Sequence, residues 1–281
     1  MKIQSLSIDV PVKKCVNNCA YCVSHLHTNP YPEKIDWPEI KKRMQFAVNN
    51  GCNTVILTGR GEPQQNVDYL QQWHIINQSL SVPFLWIELQ TTGVFCKYPD
   101  QLRFLKSIGI TTISLSISDL FDTENNQKIC GTPDKLKVDI ESVCDLIHSF
   151  DFNLRLSLNM ISTYSGQTFF DIIARAIDLH ANQITFRELY SIGNNLEIIN
   201  WIQQNKLPND EYKLLLDACI YHATPIEILP YGSIVYDYNG ISIVFDKDCM
   251  AIDLKHELKY LILRPNSKLY TKWDTPASLK F

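Results

Sequence analysis

Residues 13–22, Lys-Lys-Cys-Val-Asn-Asn-Cys-Ala-Tyr-Cys, place three thiols within eight positions as a Cys-x3-Cys-x2-Cys loop. Thiolates are soft metal ligands, and three at this spacing can each reach a different iron of a [4Fe-4S] cube. The fourth iron then lacks a protein ligand and stands open to an exogenous molecule, as the open position of a catalytic zinc admits substrate. A degenerate zinc site is the competing reading. It would need a fourth ligand, such as His25 or His27 just downstream.

The other six cysteines (Cys52, Cys96, Cys130, Cys144, Cys219, Cys249) lie far apart, unlike a secreted disulfide framework, and read as buried apolar thiols. His74, His148 and His180 fit helix surfaces or ends and carry no functional expectation. A net charge of −4 argues against a strongly basic surface that coats nucleic acid, although a local basic patch is compatible with such an average. Residues 1–12 lack the apolar run and cleavage site of a secretory signal, and no segment reaches the roughly 18 apolar residues of a membrane span. The expectation is a soluble, cytoplasmic chain without a membrane partner.

The thiols need a scaffold, and the sequence supplies an alternating one. Apolar runs at 5–10, 54–58, 84–90, 111–117, 153–161 and 183–189 read as strands. Between them lie helical patterns. Asp36 is an N-cap and Gly51 a stop around Ile40, Met44 and Ala47, while 133–150 spaces Leu136, Ile140, Val143, Cys144 and Ile147 on one face. Strand–helix alternation implies parallel strands joined by right-handed crossovers. After a helix at 209–223 the pattern changes: Asn239-Gly240 sits between two alternating runs, a hairpin signal, and 260–273 suggests a second strand pair. The expected division is a core of residues 1–208 and an extension of 209–281, a helix and antiparallel β structure packed on it.

The first of these motifs resembles the signature of the radical S-adenosylmethionine (radical SAM) superfamily, in which Cys-x3-Cys-x-Tyr-Cys follows the first strand and SAM binds the open iron. Three further segments are similar in order and position. Thr58 to Pro63, Thr-Gly-Arg-Gly-Glu-Pro, resembles the family's Gly-Gly-Glu motif; Gln90 to Gly93 resembles its Thr-Asn-Gly segment, with Thr92 in place of Asn; residues 113–118, Ile-Ser-Leu-Ser-Ile-Ser, resemble its fourth strand. The resemblance covers roughly residues 3–190 and is nearest in character to molybdenum-cofactor, pyrroloquinoline-quinone and peptide-modification enzymes.

What it implies is a partial (β/α)6 TIM-like barrel with a small C-terminal antiparallel β extension, and chemistry at the C-terminal ends of the strands. It implies a [4Fe-4S] cluster on Cys15, Cys19 and Cys22, and SAM held by Tyr21, Gly59, Gly61, Glu62, Thr91, Ser114, Ser116 and Asn159. Backbone groups freed by the glycines, with Glu62, would hold the methionyl ammonium. The implied activity is reductive cleavage of SAM to a 5′-deoxyadenosyl radical that takes hydrogen from a substrate, fed by an electron donor such as flavodoxin or ferredoxin. The alternatives are a glycyl-radical-activating enzyme and a non-catalytic iron-sulfur protein on the same fold.

Substrate-facing groups are sought on the late strands. Arg187 suits a carboxylate or phosphate and Glu188 a proton partner, with Tyr190, Arg155 and Asn159 near them; an Arg187–Glu188 ion pair closing the rim is the bland alternative. Six Lys or Arg between Ala251 and Phe281 alternate with Tyr260, Tyr270, Trp273 and Phe281. Such a pattern fits a nucleotide, nucleic acid or peptide, or a solvated hairpin anchored by its aromatics. The substrate class stands open between a peptide and a nucleotide-like molecule.

Overall fold

A computed structural model describes residues 2–22, 34–189, 195–229, 232–246, 257–273 and 276–280. The expectations placed on His25, His27, Tyr190 and Cys249 lie outside the described residues. Strands β1 (Lys2–Asp9), β2 (Thr54–Thr58), β3 (Trp86–Thr91), β4 (Thr112–Ile117), β5 (Asn153–Asn159) and β6 (Gln183–Arg187) alternate with helices α1 (Trp37–Asn49), α2 (Val67–Gln78), α3 (Pro99–Ser107), α4 (Thr123–Ile129), α5 (Ile140–Ser149) and α6 (Phe169–Asp178). There follow α7 (Leu196–Asn205), α8 (Asn209–His222), β7 (Thr224–Ile228), β8 (Ile234–Tyr238), β9 (Ile241–Asp246), β10 (Glu257–Leu263) and β11 (Leu269–Tyr270). The fold is α/β with a mostly parallel sheet, the partial barrel expected, carrying antiparallel strand pairs from its C-terminal region.

The sheet runs β11-β10-β1-β2-β3-β4-β5-β6-β9-β8-β7. The C-terminal strands therefore extend both edges of the β1–β6 array. β10 pairs in parallel with β1 and β9 in parallel with β6, so eight parallel strands stand side by side. At the two ends of that octet, Lys259 of β10 meets Asp246 of β9 at 3.1 Å, an ion pair bridging the seam where, among the described residues, no backbone ladder joins them.

Side-chain alternation explains what the barrel encloses. Val55 and Leu57 of β2 are fully buried in the apolar core, while Thr54, Ile56 and Thr58 line the lumen. Ser114 and Ser116 of β4 and Ser157 and Asn159 of β5 line a cavity at its end. Parallel strands covered on both faces usually read as continuous apolar runs. Here one face is polar because it bounds a cavity.

Local signals set the helices. Asp36 caps α1 by accepting from Glu39 N, and Ile40, Met44 and Ala47 are buried, as expected. The expected helix at 133–150 is shorter. α5 begins at Ile140 because Asp139 caps it through Ser142 N; residues 134–136 form a separate 3-10 turn, so Leu136 is off the helix. At the C-terminus the aromatics are anchors: Tyr260 and Tyr270 are buried with Ile262, and Arg264 stacks on Tyr270 while donating to the carbonyls of Lys272 and Trp273. No helix among the described residues is long and apolar enough to cross a membrane.

Candidate functional site

Three loops meet at the C-terminal ends of the strands. The cysteine loop leaves β1, and the segment after β2 rises against it so closely that side chains would not fit. A Cβ on Gly59, whose φ is +151°, would lie 2.7 Å from the Val10 carbonyl oxygen; one on Gly61 would lie 2.9 Å from Val12 Cγ1. These glycines let the two loops nest. Polar side chains then tie them. Gln65 accepts from Val16 N at 3.1 Å and donates to Lys14 O at 3.0 Å, and Asn66 Nδ2 donates to Pro11 O at 2.6 Å.

Glu62 is 3% exposed and lies at the centre of the nest. One carboxylate oxygen accepts from Thr92 N at 3.0 Å, Thr92 Oγ1 at 2.7 Å and Asn17 Nδ2 at 3.4 Å; the other accepts from Thr91 Oγ1. Burial pushes its pKa up, and the bonds from Thr91, Thr92 and Asn17 oppose that rise. Glu62 thus joins the cysteine loop to the end of β3. Thr92 supplies two of the donors.

The third wall is α4. Asn18 N donates to Cys130 O and Ala20 N to Ile129 O, and Gly131, at φ +58°, lies where a Cβ would be 2.6 Å from Asn18 O. Tyr21 turns inward. Its hydroxyl accepts from Asn159 Nδ2 and Ser118 Oγ, both at 2.8 Å, and its ring lies 5.9 Å from that of Trp201 on α7. Burial holds the Tyr21 phenol well above its ordinary pKa, so it stays neutral. Burial likewise raises Cys15, whose sulfur accepts from Asn17 N at 3.4 Å.

These walls enclose a cavity of about 230 Å³. Cys15, Cys19, Cys22, Tyr21, Gly59, Gly61, Glu62, Thr91, Ser114, Ser116, Asn159, Arg187 and Glu188 all line it. Residues from six segments of the sequence are brought together there. Asn17, Gln65, Asn66 and Ser157 were not singled out from sequence; an Asn or Gln beside a motif carries no signal until its partner loop is placed. The ion pair weighed as the bland alternative for Arg187 and Glu188 does not form among the described residues, whereas Arg155 pairs with Glu88 and donates to Gln183 at 2.7 Å.

Two observations bear on what the cavity suits. Its three loop cysteines are half-buried and outside any disulfide, and among the described residues no three Cys, His, Asp or Glu converge as ligands of a single ion would. Three thiols around one cavity suit a polynuclear cluster, each iron taking one thiolate. In addition, three buried atoms on the cavity wall have no hydrogen-bond partner among the described residues: Asn17 Oδ1, Ser157 Oγ and Arg187 Nε. Buried polar groups are normally satisfied. An acceptor, a hydroxyl and a cationic donor without partners fit a bound molecule that carries both an ammonium and a carboxylate.

Beyond this cavity, sharing Thr58, Gly59, Gln90 and Arg187 with it, a second space of about 580 Å³ occupies the lumen.

The fold is similar to that of anSMEcpe with bound AdoMet and Cp18Cys peptide, at TM-score 0.64 and 12% identity over 98% of this chain and 75% of that one. It is also similar to SuiB of Streptococcus suis bound to precursor peptide SuiA, at TM-score 0.59 and 13% identity over 95% of this chain. This chain spans 59% of the SuiB chain. Coproporphyrinogen III oxidase (HemN) from Escherichia coli, a radical SAM enzyme, gives TM-score 0.50 and 13% identity over 78% of this chain and 52% of that one. At such identities the likeness shows the fold alone. No curated protein matches. The sequence profile described as the Radical SAM superfamily matches residues 10–176, more than half of the chain.

Proposed function

The chain belongs to the radical SAM superfamily, and from that premise we propose that it is an enzyme that binds one [4Fe-4S] cluster and SAM and acts on a peptide. The observation that carries the reading is the single cavity in which the three loop thiols face three buried atoms without partners among the described residues, Asn17 Oδ1, Ser157 Oγ and Arg187 Nε. When bound, the two groups would supply the one-electron chemistry needed to take hydrogen from an unactivated carbon, which no ordinary side chain performs.

The chain's own residues hold, orient and enclose. Cys15, Cys19 and Cys22 hold iron. Asn17 Oδ1 would accept from the ammonium of SAM and Arg187 Nε would donate to its carboxylate, which leaves Glu62 to brace the loops through Asn17, Thr91 and Thr92. Ser114, Ser116 and Asn159 offer hydroxyl and amide groups along the wall, and Tyr21 closes the end beneath Trp201, keeping water from the reacting carbon. Glu188 at the rim is the proton partner. A flavodoxin or ferredoxin is the expected electron donor.

Support for a peptide substrate is twofold. SuiB and anSMEcpe are peptide-bound in the similar structures. The cationic groups deeper in the lumen are already matched, Arg155 by Glu88 and Lys259 by Asp246, so a phosphate-rich nucleotide would find few unmatched cations there.

The test is anaerobic reconstitution with iron and sulfide, addition of dithionite and SAM, and chromatography for 5′-deoxyadenosine. Production of that nucleoside, dependent on all three loop cysteines, is the expected result. A fully loaded, reducible cluster whose electron paramagnetic resonance signal does not respond to SAM would overturn the reading.

A further inference from the structure

The reading above uses two of the three cavity-wall atoms without partners, Asn17 Oδ1 and Arg187 Nε, and leaves Ser157 Oγ, on a residue 4% exposed. The sheet carries its row outward. Ser157 of β5 pairs with Thr185 of β6, Thr185 with Val244 of β9, Val244 with Val235 of β8, and Val235 with Glu227 of β7. Directly opposed residues share a face of the sheet, and Thr185, Val244, Val235 and Glu227 all line the lumen of about 580 Å³. One row thus runs from the thiol cavity to the outermost strand, with hydroxyls at its inner end, two valines between and a carboxylate at its outer end. At about 4.8 Å per strand, its four steps span about 19 Å.

A bulge sets the outer end. The β7–β8 register shifts between Pro225 and Glu227, and without the extra residue Ile226 would stand opposite Val235. Bulges re-aim side chains, and this one brings a carboxylate to the end of the row. The other charged side chains of the lumen are matched or used: Arg60 lies 3.8 Å from Asp9, Arg155 meets Glu88, Lys259 meets Asp246, and Arg187 serves SAM in the reading above. Glu227 has no ion-pair or hydrogen-bond partner among the described residues. An exposed carboxylate is satisfied by water and marks nothing by itself; at the end of this row it gives the lumen a sign.

We propose that Glu227 is a specificity residue for the peptide: it receives a Lys or Arg side chain of an extended substrate whose reacting residue lies at Ser157, with apolar side chains against Val244 and Val235 between them. The inference rests on the peptide reading above. An extended chain rises about 3.4 Å per residue, and the curve of the sheet shortens the direct path, so the cation stands about five residues from the reacting one. Nothing in the local sequence marks Glu227 for this role, because the bulge and the pairing of β9 with β6 decide where its row leads.

The probe is a synthetic library of dodecapeptides, acetylated and amidated so that side chains alone carry charge, mixed with the chain reconstituted with iron and sulfide and supplied with SAM. Retained peptides are separated by gel filtration and sequenced by mass spectrometry, and dithionite is then added to the retained pool to locate the altered residue. Wild type should enrich Lys or Arg about two- to fivefold, the worth of one partly exposed ion pair, at about five residues from the altered one. Glu227→Gln should erase that preference and Glu227→Lys reverse it to Asp or Glu at the same distance. Asp237→Lys, on the adjacent strand but outside the lumen lining, should keep the wild-type preference. Retained peptides without a charge preference, a preference unchanged in the Glu227 variants, an equal loss in Asp237→Lys, or cations at no fixed distance from the altered residue would each overturn the proposal. A loaded chain that retains or alters no peptide would overturn the peptide reading and this inference with it, and failure to take up any cluster would count against the cluster reading itself.

Discussion

Deep in the lumen Arg155 meets Glu88 and Gln183, and at the seam Lys259 meets Asp246; at the C-terminal end, Arg187 keeps a buried Nε with no partner among the described residues. Both regions are lined by polar side chains on the same strands. In one, the cost of removing charge from water is offset within the chain; in the other it is left for something else to offset. Matched groups build the barrel, and unmatched groups mark where it expects a ligand.

The largest break in this comparison comes from the cluster end. Cys19→Ala should abolish both the visible iron-sulfur absorbance and 5′-deoxyadenosine formation while leaving the circular dichroism of the chain unchanged. Retained SAM cleavage would end the distinction between the two regions.

The two arginines provide the direct contrast. Arg155→Ala leaves the buried Glu88 carboxylate without its cation, and should cost about 2 kcal/mol of unfolding free energy, less than for fully buried pairs because the Arg155 side chain is 31% exposed. Arg187→Ala should change stability by less than about 0.5 kcal/mol. It should instead weaken SAM binding to the cluster-loaded chain by roughly tenfold, the loss of one charge-assisted hydrogen bond. Urea unfolding and equilibrium dialysis read the two effects. Equal destabilisation by both would show that Arg187 is structural.

At the seam, Lys259→Met should cost about 1 kcal/mol in the same unfolding measurement, since Asp246 is mostly buried but retains some access to water. Asp139→Ala, a cap far from the lumen, sets the baseline at no more than about 1 kcal/mol. The hydrogen bond from Ser142 N lowers the Asp139 pKa below the ordinary carboxylate value. Its contribution is therefore fully present above that ordinary value and lost as pH falls through the lowered one, so the wild-type and Asp139→Ala stabilities should converge in acid.

Much of this was legible in the sequence where the governing interactions are local. Asp36, Gly51 and the Ile40-Met44-Ala47 spacing delimit α1 within a residue or two, and Cys15, Cys19, Cys22, Gly59, Gly61 and Glu62 share one cavity as their motif order implies. The start of α5 was misplaced because the Leu136 spacing continues the apolar face through a 3-10 turn that Asp139 interrupts. The Asn18–Cys130 backbone contact and the Arg155–Glu88 pair depend on elements far apart in sequence meeting in space. So do the parallel pairings of β9 and β10. Periodicity in one strand says nothing about which edge it will join.

The pairing of β1 with β10 also has a consequence for biosynthesis. The strand that ends in the cysteine loop gains β2 as a neighbour early, but its other edge is covered only by residues that begin at Glu257. At about 5–20 residues per second, a ribosome delivers that last neighbour roughly 12–50 s after β1 itself. For that interval β1 presents an open ladder beside the three loop thiols. Iron-sulfur delivery before β10 is synthesised would meet the cysteine loop on a strand with an unpaired edge, whereas delivery afterwards would meet it on a strand paired along both edges, and the order of the two events sets how long the nascent chain needs protection.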